Sequence, residues 1–93
     1  MAVLDDVKTA MRIRHEALDD LISKQIATAR AKMVRVGVPE DVANDDDNAC
    51  VADAIITFCL MRNADTIQES AEYFKSWQYQ LDCIRKSTFD GGD

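Results

Sequence analysis

The chain has 93 residues, of which 47% are hydrophobic and 30% charged, and its net charge is −6 at pH 7. This length corresponds to a single domain, and the composition is that of an ordinary globular protein. Proteins that bind nucleic acid tightly neutralise phosphates with clustered Lys and Arg. The chain has 17 acidic and 11 basic residues, and this negative balance argues against a protein that binds nucleic acid tightly. It is still compatible with a local basic patch.

Helix signals occur throughout the sequence, whereas the period-two alternation of strands is absent. We therefore predict an all-α fold, a small bundle of about four helices with a nearly fully apolar central third helix. Asp5 and Asp6 interrupt any apolar N-terminal run, and the longest apolar stretch, residues 49–61, is too short to span a bilayer. We expect neither a signal peptide nor a membrane span.

The first predicted helix covers about residues 3–12, and the second about residues 16–36. Each opens near a Leu-Asp-Asp triplet, at residues 4–6 and 18–20. Acidic side chains favour the positive end of a helix. The triplets are therefore predicted to be helix openings rather than a repeat or a catalytic pair of carboxylates. Gly37 can supply a left-handed cap to the second helix, and Pro39 blocks its continuation.

The acidic stretch PEDVANDDDN, residues 39–48, is predicted to be a loop. One of residues 45–48 should cap the next helix. Counted from Asp45, the sixth and twelfth residues are Cys50 and Ile56, whereas a calcium-binding EF-hand loop needs Gly and Glu there. We therefore expect no calcium site.

The three cysteines, Cys50, Cys59 and Cys83, form no C-x-x-C pair, and His15 is the only histidine. This pattern lacks the four closely spaced ligands of a zinc site, and it does not indicate a disulfide framework. We predict buried, reduced thiols, and we expect no metal, no cofactor and no catalytic residues.

The third predicted helix covers about residues 47–63, and the fourth covers about residues 65–86, with Asp65 or Thr66 as its cap. A helix that is apolar nearly all round must be covered all round, by other helices or by a neighbouring subunit. The candidate core residues are Leu18, Leu21, Ile22, Ile26, Met33, Val51, Ile55, Phe58, Ile67, Phe74 and Leu81. The candidate anchors of a subunit interface are Met61, Trp77 and Tyr79. The domain should span residues 1–88, with a disordered tail at residues 89–93.

A series of short motifs runs along about residues 3–88. They lie at residues 4–8, 11–13, 20–22, 29–31 and 37–38, and they are followed by VADAIITFCLMRNA and ESAEYFKSWQYQLDCIRKS. In this order and spacing, the motifs resemble those of the phage head-tail connector family, also called DNA-packaging or head-completion adaptor proteins. The chain departs from the family's pattern in the turn at residues 12–16, where many relatives carry more acids, and at residues 83–85.

The resemblance implies a structural protein rather than an enzyme. Its members form a homo-oligomeric ring under the portal of a phage or prophage capsid after DNA packaging. The implied partners are copies of itself, the portal protein, and the tail or the next adaptor. DNA would pass through the channel without tight or specific binding, and no membrane would be involved. The implied location is the head-tail junction of the virion, and the host cytoplasm before assembly.

The sequence is also compatible with two other classes of protein. A small helical DNA-binding protein, such as a terminase small subunit or a regulator, would need a basic recognition helix. Its best candidates are Arg30, Lys32 and Arg35, although these three do not share one face. The other class is a helical adaptor for a host protein. A gene neighbourhood with portal and capsid genes would separate the three classes.

Overall fold

The computed structural model describes residues 3–91, with side chains described for residues 3–86. It contains α1 (Val3–Ala10), α2 (Asp19–Arg35), α3 (Glu40–Ala43), α4 (Ala49–Arg62) and α5 (Ile67–Gly91). Residues 3–91 contain no strand, and the predicted all-α class is confirmed.

The centre of the fold is α4, against which α1, α2 and α5 all pack. Its side chains Val51, Ile55 and Phe58 are buried. The apolar composition of this helix predicts such a central position, because each neighbour can cover only one side of it. One strip of α4 remains half-buried, at Ala52 and Ile56.

The contact between α4 and α5 is built around an aromatic pair. The ring centroids of Phe58 and Trp77 are 4.9 Å apart, and the ring planes are tilted by 51°. Trp77, Leu81 and Ile84 are buried at helical spacing and form the inner face of α5. With 25 residues, α5 is about 37 Å long. With 14 residues, α4 is about 21 Å long, so it cannot cover the whole of α5.

Two helix starts carry side-chain caps at the predicted positions. The Asn48 side chain accepts hydrogen bonds from the amides of Cys50, at 3.0 Å, and Val51, at 3.2 Å. The hydroxyl of Thr66 accepts a hydrogen bond from the amide of Glu69, at 3.1 Å. Such side chains satisfy amides that have no partner within the helix, and so they define where α4 and α5 begin.

Both Leu-Asp-Asp triplets lie at helix openings, as predicted. Asp5 and Asp6 lie in the first turn of α1, and Asp19 and Asp20 in the first turn of α2. Asp19 also pairs with Lys8, with 2.8 Å between the carboxylate oxygen and Nζ, and this ion pair joins α1 to α2.

The C-terminal end of α2 is a Schellman motif. The Gly37 amide donates to the carbonyl of Val34 at 3.1 Å, and the Val38 amide donates to that of Met33 at 2.9 Å. Gly37 has φ of 109°, a conformation that favours glycine. Val38 and Met33 are both buried, so the motif also directs the chain after α2 back into the core.

The structure corrects several predictions about helices and cysteines. The predicted loop at residues 39–48 contains the one-turn helix α3, which is too short to produce a periodic pattern. Of the three cysteines, only Cys59 is buried, while Cys50 and Cys83 are exposed. α5 continues to Gly91, past its predicted end. The predicted disordered tail at residues 89–93 extends beyond the described residues, and its disorder stays a prediction.

Four of the candidate core residues are exposed: Leu18 by 38%, Leu21 by 47%, Ile67 by 90% and Phe74 by 46%. Leu18 and Ile67 lie at the starts of α2 and α5. Leu21 and Phe74 lie at the edges of their apolar faces, beyond what one neighbouring helix covers. The candidate core residues that are buried are Ile22, Ile26, Met33, Val51, Ile55, Phe58 and Leu81.

Candidate functional site

The described side chains form no group of three or more His, Cys, Asp and Glu residues that could hold a metal ion. Among the described residues, no helix has the length and apolar character needed to cross a membrane. The candidate sites described below are two grooves on the surface of the helices.

The three candidate interface anchors lie in different environments. Trp77 is only 4% exposed and packs inside the subunit, so it is not available as a surface anchor. Met61 is half-buried against the core. Tyr79 is 71% exposed. Because Trp77 and Tyr79 are two residues apart, they point about 160° apart around α5, and they cannot belong to one contact patch.

The first exposed apolar surface is the α2–α5 groove, which lies between the C-terminal end of α2 and the middle of α5. Its lining residues are Lys32, Arg35, Val36, Phe74, Trp77, Gln78 and Leu81. Val36 and Phe74 are 41% and 46% exposed, so apolar surface is open to solvent here. Lys32 and Arg35 give the groove a positive rim. Within this groove, Phe74 belongs to the part of the apolar face of α5 that α4 leaves uncovered.

The second surface is the α1–α4 groove, which is shallow and acidic. Its lining residues are Asp6, Thr9, Ala10, Asp46, Ala49, Ala52, Asp53 and Ile56. The alanines leave space above the backbone of both helices, and Ile56 adds half-buried apolar surface. The carboxylates of Asp6, Asp46 and Asp53 supply negative charge along the edges.

The α1–α4 groove lies on the side of α4 that faces away from the core. Asp53 follows Val51 by two residues, and Phe58 follows Ile56 by two, so the members of each pair point about 160° apart around the helix. Val51 and Phe58 belong to the buried core, whereas Asp53 and Ile56 line the α1–α4 groove. The α2–α5 groove is lined by residues of α2 and α5, including the core residues Trp77 and Leu81, and so the two grooves share no residue.

Arg30, a candidate for DNA contact, already contacts other residues of the same protein through its side chain. Its guanidinium donates to the carbonyl oxygen of Ala43 at 2.8 Å and forms an ion pair with Asp46. These contacts tie α2 to the end of α3 and to the loop that follows. Of the three basic residues considered for a recognition helix, only Lys32 and Arg35 are exposed.

Two side chains have raised pKa values. Burial raises the pKa of the Cys59 thiol to about 11, although the positive charge of Arg62 opposes the shift. A hydrogen bond with the Cys83 side chain raises the pKa of the Tyr79 hydroxyl. A raised pKa keeps each group protonated at neutral pH, which is the opposite of what an activated nucleophile needs.

The chain matches the model of a known protein family. A family model described as phage gp6-like head-tail connector protein matches residues 1–85. No curated protein and no solved structure matches the chain. The matched residues include α1 to α4 and most of α5, and so they include every residue that lines the two grooves.

Proposed function

Because the chain belongs to the family of phage gp6-like head-tail connector proteins, we propose that it assembles into a homo-oligomeric ring beneath the portal of a phage capsid. The ring extends the DNA channel and joins the head to the tail. The family match over residues 1–85 is the observation that carries this proposal. A connector of this kind is a structural protein of the virion, and its contacts are with other head and tail proteins.

The exposed apolar surface supports assembly into a ring. Val36, Phe74 and Tyr79 are each more than two-fifths exposed in the isolated chain. Exposed apolar and aromatic side chains of this kind are enriched in contacts between subunits. In a ring, each subunit has two neighbours, and two different patches of its surface are covered.

The charge of the chain supports a role as a conduit for DNA. A subunit with a net charge of −6 repels phosphate at long range, and copies in a ring multiply that charge. DNA then passes through the channel without being held tightly. The portal protein above the ring, and the tail or the next adaptor below it, are the partners of this proposal. Before assembly the subunit resides in the host cytoplasm.

Assembly in the presence and absence of portal protein tests this proposal. Light scattering over a concentration series should show growth from small species to one large, closed species, and electron microscopy should show rings. Added portal protein should lower the concentration at which rings form, because a template reduces the entropic cost of bringing subunits together.

The alternative classes of protein predict different outcomes. A strict monomer that ignores portal and binds duplex DNA tightly, with a steep salt dependence, would support a DNA-binding protein instead. A strict monomer that binds neither portal nor DNA would favour the third class, a helical adaptor for a host protein.

A further inference from the structure

We propose that each subunit binds the next one by placing its α2–α5 groove against the neighbour's α1–α4 groove. The inference rests on the proposed ring and names the two surfaces that meet in it. The occupant of both grooves is a second copy of this chain. The contact is heterologous, since two different patches of the same protein face each other.

The charges of the two grooves are complementary. Lys32 and Arg35 form the positive rim of the α2–α5 groove. Asp6 and Asp53 lie on the edges of the α1–α4 groove, and neither has an ion pair within its own subunit among the described residues. Asp46 is already paired with Arg30. The two unpaired carboxylates are therefore free to meet the neighbour's Lys32 and Arg35.

The same charges disfavour the competing symmetric dimers. Two α2–α5 grooves face to face would bring Lys32 and Arg35 against their own copies. Two α1–α4 grooves face to face would bring carboxylates together. Like charges across an interface disfavour the wrong partner surface, so the head-to-tail arrangement is selected over both symmetric ones.

The shapes of the grooves also match. Phe74 is a large, half-exposed side chain on the α2–α5 side. On the α1–α4 side, Ala10, Ala49 and Ala52 leave a shallow depression with Ile56 at its edge. An aromatic side chain that enters a depression lined by small residues buries apolar area on both partners, and this is typical of the centre of an interface.

The position of the grooves allows the contact to repeat. Because the two grooves share no lining residue and are built from different helices, a subunit can bind one neighbour through each groove at the same time. Repetition of a single heterologous contact produces a ring when the rotation closes. The contact also covers the half-buried strip of α4 at Ala52 and Ile56, which the subunit's own helices leave partly exposed.

Two charge-reversal variants of the full chain test the pairing. Lys32→Glu with Arg35→Glu makes the α2–α5 groove negative, and Asp6→Lys with Asp53→Lys makes the α1–α4 groove positive. Each variant alone places like charges across every contact. We expect each to raise the concentration needed for assembly by at least about tenfold, under the conditions in which the wild type forms rings.

An equimolar mixture of the two variants should restore assembly. In the mixture, the negative α2–α5 groove of one variant meets the positive α1–α4 groove of the other, and the remaining two grooves keep their native charges. The restored rings should contain the two variants in equal amounts if the number of subunits is even, and in numbers that differ by one if it is odd, as mass spectrometry would measure. Circular dichroism of each variant checks that the helices are formed.

The matched control is Lys24→Glu with Lys86→Glu, which changes the net charge by the same amount as the first variant and touches neither groove. It should assemble like the wild type. Normal assembly of either groove variant alone, or no rescue in the mixture, would overturn the pairing and leave the ring intact as a proposal. Failure of the wild type to assemble with portal would instead contradict the ring itself.

Discussion

Two residues at helix ends hold backbone conformations that L-amino acids rarely adopt. Gly37 has φ of 109° after α2, and Arg12 has φ of 60° after α1. At Arg12 the hydrogen bonds again follow the Schellman pattern. The Arg12 amide donates to the carbonyl of Thr9 at 3.1 Å, and the Ile13 amide donates to that of Lys8 at 2.9 Å. Glycine is the residue that this conformation favours, so Gly37 suits its site, whereas Arg12 does not suit its own.

This difference predicts opposite effects of substitution. Gly37→Ala should lower the free energy of unfolding by about 1–2 kcal/mol, because a Cβ is disfavoured at positive φ. The space is sufficient, since the added Cβ would lie 3.7 Å from Arg85 Nε. Arg12→Gly should raise the free energy of unfolding by up to about 1 kcal/mol for the same backbone reason. Urea unfolding followed by circular dichroism measures both.

The control for the second substitution is Arg12→Ala, which removes the charged side chain but keeps the Cβ. An equal gain in stability from Arg12→Ala and Arg12→Gly would show that charge, and not backbone conformation, is responsible.

The buried thiol of Cys59 makes stability depend on pH in the alkaline range. Its pKa is about 11 in the folded protein, against 9.0 for the ordinary thiol. A group with a raised pKa contributes its full stability below the ordinary value and loses it as pH rises through the folded value. The free energy of unfolding should therefore fall between about pH 9 and pH 11, by at most about 3 kcal/mol.

The test compares the pH dependence of unfolding in wild type and Cys59→Ala. The substitution lowers stability at every pH, but it should flatten the slope above pH 9. Cys50→Ala is the matched control, because Cys50 is exposed and, unlike Cys83, is not the hydrogen-bond partner of Tyr79. Equal slopes for wild type and Cys59→Ala would show that other groups cause the alkaline loss.

At the scale of the helix, the buried inner face of α5 contains one aromatic residue, Trp77, whose ring packs against Phe58 of α4. Trp77→Ala should cost about 3–5 kcal/mol, because it removes a large side chain and leaves a cavity beside Phe58. This is a large share of the stability of so small a domain. The measurement is urea unfolding followed by far-ultraviolet circular dichroism, since the chain has only one tryptophan to report by fluorescence.

Phe74→Ala is the matched control on the same helix. Phe74 is 46% exposed, so its removal should cost only about 1 kcal/mol. Equal costs for the two substitutions would mean that Trp77 does not anchor the helix. In the proposed ring, Phe74→Ala should weaken assembly more than it weakens folding.

At the scale of the whole molecule, the negative charge predicts weak binding to DNA. The chain carries 17 acidic and 11 basic residues, and Arg30 is held by Ala43 and Asp46. Few phosphates can be neutralised, so fluorescence anisotropy at physiological salt should detect little binding of duplex DNA at micromolar concentrations.

Residual binding at low salt identifies the basic surface that is responsible. It should fall further in the variant with Lys32→Glu and Arg35→Glu, while Lys24→Glu with Lys86→Glu changes the net charge equally and serves as the control. Tight binding by the wild type at physiological salt would contradict the proposed role as a passive channel.

The helices and their ends could be predicted from the sequence because local rules decide them. The cap at Asn48, the cap at Thr66 and the left-handed residue Gly37 depend on hydrogen bonds between residues close in the chain. The central position of α4 followed from its apolar residues alone. The helix α3 was missed because a single turn has no periodicity to detect, although Pro39 followed by two acids is a helix-start signal.

Which apolar residues are buried was decided only by the tertiary structure. A helical pattern shows that Trp77 and Phe74 belong to one broad apolar face of α5, but it contains no information on how much of that face a neighbour covers. In the fold, α4 covers Trp77 and leaves Phe74 half-exposed. The two grooves have the same origin, since each combines residues from two helices that are distant in the chain. Burial depends on where other helices pack, and local sequence rules do not set that packing.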